Sequence, residues 1–128
     1  MKNAVKNVLT FTGIAVFAVA AVALGQGSQA ANEALWEAAR AGDTAGITTA
    51  LAQGADVNAK SRYNVTAIIF AAGSGRLDAV KLLVSRGADV NAQDSFYNAR
   101  AADMALTNGH SAVALFLVEA GANADGLL

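Results

Sequence analysis

The hexapeptide Gly54-Ala55-Asp56-Val57-Asn58-Ala59 returns unchanged as Gly87-Ala88-Asp89-Val90-Asn91-Ala92, 33 residues later. A third, decayed copy begins at Gly121-Ala122-Asn123-Ala124. Gly42 and Gly75 keep the same beat, Gly75 and Gly109 stand 34 apart, and Tyr63-Asn64 returns after 34 residues as Tyr97-Asn98. Such a period marks stacked supersecondary units, each too small to bury its apolar face alone. The longer second period implies one residue inserted near Gln93.

Each unit reads as two short helices. The first of each pair is expected near Ala34 to Ala41, Ala67 to Ser74 and Ala101 to Asn108, with Gly42, Gly75 and Gly109 ending them. The second helices are expected near Thr44 to Ala52, Leu77 to Arg86 and Ser111 to Ala120, ending at Gly54, Gly87 and Gly121. In the middle unit Leu77, Val80, Leu83 and Val84 fall at helical spacing as an apolar stripe. Asp78, Lys81, Ser85 and Arg86 take the opposite face.

The middle unit, Thr66-Ala67-Ile68-Ile69 through Gly73-Ser74-Gly75-Arg76-Leu77 to Gly87-Ala88-Asp89-Val90-Asn91-Ala92, resembles the ankyrin repeat along its whole length. The resemblance covers essentially Asn32 to Asp125 and implies an all-α solenoid of about three helix-turn-helix repeats with β-turn fingers. The repeats are expected at about 31–60, 61–93 and 94–125 of a domain spanning 31–128. The family's Thr-Pro-Leu-His stretch stands here as Glu33-Ala34-Leu35-Trp36, Thr66-Ala67-Ile68-Ile69 and Arg100-Ala101-Ala102-Asp103. Proline and histidine are absent from all three, so their hydrogen bonds must be replaced or missing, and the stack is expected to be less stable than its relatives. The first unit lacks its leading turn and is expected to serve as a two-helix cap, with Trp36 covering the start of the stack.

The mean hydropathy of +0.39 is high for a soluble chain, and part of it sits in one segment. Lys2 and Lys6 precede eleven consecutive apolar residues, Ile14 to Leu24. Ser28 and Ala30 then supply small side chains before a cut after Ala30, the pattern of a secretory signal at residues 1–30. The run falls short of the roughly 20 residues a spanning helix needs. Export of a bacterial type is therefore expected, to the periplasm or beyond. An uncleaved inner-membrane anchor is the alternative, and it would be the chain's only membrane contact. Without cysteine the chain has no lipid-anchoring thiol. Cleavage would leave 98 of the 128 residues and, with Lys2 and Lys6 gone, a formal charge of -3 instead of -1. Neither value is a nucleic-acid footprint.

The chemical inventory is short. His110 is the sole histidine, at a position where the resemblance implies a turn or helix-start residue. One histidine and no cysteine exclude the common closed zinc sites. Asp56-Val57-Asn58 and Asp89-Val90-Asn91 look like calcium loops only until the fifth, sixth and twelfth positions are checked. Those hold Lys60, Ser61 and Ala67 in the first copy and Gln93, Asp94 and Arg100 in the second. Turn-forming hydrogen bonds to neighbouring backbone are the better reading. No metal, cofactor or catalytic residue is expected.

The resemblance implies that partners meet the finger tips and the exposed face of the first helices. On this chain those positions are Lys60, Arg62, Tyr63 and Val65 on the first finger, and Ser95, Phe96, Tyr97 and Ala99 on the second. Arg40, Ser74, Thr107 and Asn108 lie on the helix face. Tyr63 and Tyr97 serve either as contacts for a partner or as packing between adjacent fingers. The run Ala112 to Val118, seven apolar residues in a terminal repeat that should present a polar face, offers a second docking or self-association surface. Gly126-Leu127-Leu128 is the tail that could fold back on it. The expected function is a non-catalytic module that holds, protects or inhibits another protein. The rival is a small secreted hydrolase or ligand-binding protein using Arg100, Asp103 and His110 in the third repeat.

Overall fold

A computed structural model describes residues 28–122. The expected secretory signal, apart from its last three residues, and the tail Gly126-Leu127-Leu128 lie outside the described residues. Six α-helices follow in pairs: α1 (Gln29–Ala41) with α2 (Thr44–Ala52), α3 (Ala67–Gly73) with α4 (Leu77–Ser85), and α5 (Ala101–Thr107) with α6 (Ser111–Glu119). Among the described residues none is long and apolar enough to cross a membrane. The chain is the expected all-α repeat solenoid.

Helix α1 begins at Gln29, five residues before the expected Ala34. The cause is Ser28, whose extended backbone and hydroxyl, accepting from the Ala31 amide at 3.3 Å, make it an N-cap. Asp43 does the same for α2, accepting from the Gly46 amide at 3.0 Å.

The inner helices α1, α3 and α5 pack side by side, and the outer helices α2, α4 and α6 touch one another more sparsely. Alanine makes the close inner spacing possible: Ala39, Ala67, Ala71, Ala72, Ala101, Ala102 and Ala105 are wholly buried. Leu35, Ile47, Ile68, Val80, Leu83 and Leu117 fill the space between the two layers. In α4, Val80 and Leu83 are buried and Leu77 and Val84 half-buried, while Asp78, Lys81, Ser85 and Arg86 face solvent, as the apolar stripe requires.

The repeated hexapeptide has a mechanical role. Asp56 and Asp89 each accept from the amide two residues on, Asn58 and Asn91, at 2.9 Å, which closes the turn. Asn58 then reaches the next repeat, accepting from the Asp89 amide at 2.8 Å and donating to the Gly87 carbonyl at 3.2 Å. Asn32 accepts from the Asp56 amide at 2.9 Å, and Asn91 donates to the Gly121 carbonyl at 3.5 Å. The asparagines are thus rungs of a ladder along the back of the stack.

A second set of cross-repeat contacts runs through the helix-ending turns. Arg76 Nε donates to the Arg40 carbonyl at 3.3 Å, and Asn108 Nδ2 to the Gly73 carbonyl at 2.8 Å. His110 lies over Gly75, which has φ +73°, so close that a Cβ there would stand 2.6 Å from the imidazole Nδ1. Gly109 has φ +82° but open space around its Cβ position. The pair separates backbone strain from collision. Gly109→Ala should lower stability by about 1 kcal/mol through the left-handed backbone alone. Gly75→Ala should lower it by roughly twice as much or more, and His110→Ala should recover the excess in a double-mutant cycle followed by urea unfolding. Equal losses at the two glycines would show that the imidazole moves aside freely.

The replaced Thr-Pro-Leu-His positions differ among repeats. In the first, Trp36 Nε1 donates to the Ala59 carbonyl at 3.3 Å. Trp36 therefore turns towards the first finger and does not cover the start of the stack. That end is a shallow groove lined by small side chains such as Ala34, Ala38, Ala41 and Ala45. In the second repeat the Thr66 hydroxyl is buried without a hydrogen-bond partner. In the third, Asp103 accepts from the Arg100 amide at 2.9 Å and from the Arg100 guanidinium Nε at 2.9 Å, bracing the start of α5.

Candidate functional site

Two fingers project from the loops between repeats. The first is pinched where the Ser61 amide donates to the Val65 carbonyl at 2.9 Å, with the Ser61 hydroxyl donating to the same oxygen at 2.9 Å. The second is pinched where the Asp94 amide donates to the Ala99 carbonyl at 3.0 Å, just inside an antiparallel bridge between Gln93 and Arg100. The residue inserted in the second period therefore lies between Asp94 and Ala99, beyond Gln93. Asp94 is buried and organises the longer loop, its Oδ1 accepting from the Tyr97 amide at 2.8 Å and the Ala99 amide at 3.2 Å. The Ser95 amide donates to the Tyr63 carbonyl at 2.7 Å and ties the two fingers together.

The finger tips carry three exposed rings. Tyr63, Phe96 and Tyr97 are 53%, 60% and 70% exposed, values that large apolar side chains reach when nothing within the chain covers them. Phe96 stands between the tyrosines, 5.4 Å from the Tyr63 ring and 4.5 Å from the Tyr97 ring, edge-on to both. Such pairs are each worth about 1 kcal/mol and fix one another's orientation. The tyrosines thus pack through Phe96 between the fingers and remain exposed. Tyr63 is held at φ 62°, ψ 22°, and Asn64 at φ 59°, both left-handed. In the second finger only Asn98 is left-handed, at φ 54°. A bulky residue in that region stores strain, which collects at functional surfaces.

Beneath the rings lies a groove of about 450 Å³ between α3, α5 and the fingers. Its floor is Val65, Ile69, Phe70 and Met104, with Asp94 among the lining residues. Tyr63, Val65, Ser74, Phe96, Tyr97 and Asn108, all expected from the sequence, meet here. A second groove on the far side of Tyr63 brings in Arg40 and Arg62 beside Trp36 and Phe70. Arg40 lies 4.6 Å from the Phe70 ring centroid and pairs with Glu37 at 2.7 Å. Lys60, Ser95 and Thr107 line neither groove and are solvent-exposed. Ile69, Phe70, Met104 and Asp94 were not expected. Phe70 and Met104 occupy the same repeat position, 34 residues apart, and that equivalence was the available signal.

A family model described as ankyrin repeats (3 copies) matches residues 18–94 and 35–126. The chain belongs to the ankyrin-repeat family. No curated protein matches it. Ankyrin repeats generally mediate protein–protein interaction and are typically non-catalytic, and on this ankyrin stack the finger side is where the exposed aromatic surface lies.

The three residues of the hydrolase reading do not converge. Asp103 opens α5 and His110 follows its end, about 10 Å apart along the axis. His110 faces Gly75, and Asp103 is held by Arg100. Burial pushes the Asp103 carboxyl up, but the side-chain and backbone hydrogen bonds from Arg100 and the guanidinium charge together outweigh it, so its pKa falls below the usual 3.8. A depressed carboxyl contributes stability that is fully present above 3.8 and is lost as pH falls through the folded-state value. Asp103→Ala should lower stability by about 1 kcal/mol at neutral pH. The gap between variant and wild type should narrow in urea unfolding as pH is lowered beneath 3.8. A gap that stays constant into strong acid would show that the ionised carboxylate contributes nothing. Among the described residues no group of three or more His, Cys, Asp or Glu side chains is placed to hold a metal.

Proposed function

We propose that this ankyrin protein is a non-catalytic binding module that acts outside the cytoplasm, in the periplasm or secreted, where it holds, protects or inhibits a partner protein. The observation that carries the reading is the exposed chain of Tyr63, Phe96 and Tyr97 beside an apolar groove. Contiguous exposed aromatics on a stable scaffold mark an interaction surface, and aromatic side chains dominate such interfaces. Export is supported by Lys2 and Lys6 ahead of the apolar run and by Ser28 and Ala30 before the cut.

The test places a photo-crosslinking amino acid at Phe96, with Arg86, an exposed residue at the end of α4, as the control position. A protein captured stoichiometrically from periplasm at Phe96 and not at Arg86 supports the reading. No capture under several growth conditions, or equal capture at both positions, overturns it. Recovered protein beginning at Ala31 supports export with cleavage, whereas intact chain found only in the inner membrane supports the anchor. Turnover by purified protein that vanished in both His110→Ala and Asp103→Ala would restore the hydrolase.

Self-association through the C-terminal repeat is a second reading with its own observation. Val113, Ala114 and Leu117 of the apolar run are buried and Phe116 is half-buried beneath Lys81, so the run is less exposed than its composition suggests. Leu106 and Leu115 remain 42% and 61% exposed on that end. Concentration-dependent sedimentation abolished by Leu115→Lys would support it.

A further inference from the structure

Asp94 is the one lining residue of the finger groove that carries a carboxylate. It is 5% exposed, and both hydrogen bonds it accepts come from neutral backbone amides of its own finger. The ion pairs among the described residues are Arg40 with Glu37 and Arg100 with Asp103, so no cation lies within 4.0 Å of Asp94. A carboxylate screened from water and without a counter-charge favours the approach of a cation. Both loop amides bond to the same oxygen, Oδ1, and Oδ2 accepts no hydrogen bond from the described residues. One oxygen of the carboxylate thus holds the loop and the other is left without a partner, bordering a groove whose other walls are mainly aromatic and aliphatic, with Ser74 and Asn108 at its side.

Resting on the protein-binding reading above, we infer that the finger groove selects a partner segment that inserts a cationic side chain, lysine or arginine, next to an apolar one. The ammonium or guanidinium neutralises Asp94 and meets the negative faces of the Phe96 and Tyr97 rings, an arrangement strengthened by exclusion of water. The methylene stem of the same side chain lies against the rings. The neighbouring apolar side chain takes the floor formed by Val65, Ile69 and Met104. Charge complementarity thus sets which segment binds, and apolar burial supplies the affinity.

The test titrates isotope-labelled protein, recovered as the cell exports it, with two acetylated tetrapeptide amides, Gly-Leu-Lys-Gly and Gly-Leu-norleucine-Gly. They differ in the ammonium and little else. The lysine peptide is expected to shift the amides of Ser95, Tyr97 and Met104 and to bind about tenfold more tightly than the norleucine peptide. Asp94→Asn retains an oxygen for both loop amides while removing the charge, and it should shrink the ratio to less than about twofold. Equal affinities for the two peptides would overturn the inference, as would shifts centred on Glu33 and Glu37, or no shift from either peptide. Should Asp94→Asn fail to fold, the wild-type ratio and the location of the shifts decide by themselves. The two proposals fail separately. Equal peptide affinities alongside a successful Phe96 crosslink leave protein binding standing, and a lysine preference without any crosslinked protein leaves a cation-selective groove without the partner reading.

Discussion

Ile68→Ala is expected to lower the stability of this protein by roughly 2 to 5 kcal/mol, the range for removing a buried branched side chain with little local collapse. Ile68 is 1% exposed and sits in α3, the inner helix that touches both α1 and α5. Each repeat of a solenoid contacts only its neighbours, so damage to the middle one of three weakens both interfaces at once. At about 4 to 8 °C per kcal/mol for a domain of this size, the thermal midpoint should fall by at least about 8 °C. Leu115→Ala is the matched control, because Leu115 is 61% exposed and its loss should change stability by less than about 0.5 kcal/mol. Circular dichroism melts of the two variants settle the comparison. Similar midpoints would mean that the middle repeat is not the keystone of the stack.

The second large effect is expected in binding. Phe96→Ala removes the ring that links Tyr63 to Tyr97, and it should weaken the crosslinked partner's affinity by about 30-fold or more, the magnitude of an interface hot spot. Its stability should fall by no more than about 2 kcal/mol, the two edge-on ring contacts it gives up, because the ring is otherwise 60% exposed. Tyr63→Gly goes further. Glycine adopts φ 62° without steric penalty, which offsets the roughly 1 kcal/mol lost with the Tyr63–Phe96 ring contact, so the variant should keep its stability while losing affinity. A Tyr63→Gly variant that keeps its stability and is fully competent to bind would show that the left-handed tyrosine serves no partner.

Much of the fold could be read from spacing alone. The glycines that close each helix and the stripe Leu77, Val80, Leu83 and Val84 report local geometry, which a sequence encodes directly. What escaped was whatever depends on contact between repeats. Trp36 could not be assigned to the first finger because its acceptor, the Ala59 carbonyl, is 23 residues away and carries no side-chain signal. The same holds for the asparagine ladder, whose partners are backbone atoms of the next unit. Tyr63-Asn64 and Tyr97-Asn98 look equivalent yet differ in conformation, since Asp94 and one extra residue reshape the second loop. The finger rings were legible as exposed aromatics in a turn. The groove floor was not, because Phe70 and Met104 read as ordinary helix residues until the fingers are set above them.

The N-cap formed by Ser28 bears on the proposed cut after Ala30. Processing there would remove the cap and the first two residues of α1, and it would leave a new ammonium group at the positive end of the helix dipole. The exported form would then begin with a repelled, uncapped turn at Ala31, one residue before Asn32, which carries the first rung of the ladder to Asp56. Cleavage there would exchange a well-anchored leading turn for a frayed one, and the uncut chain would be the better-nucleated of the two.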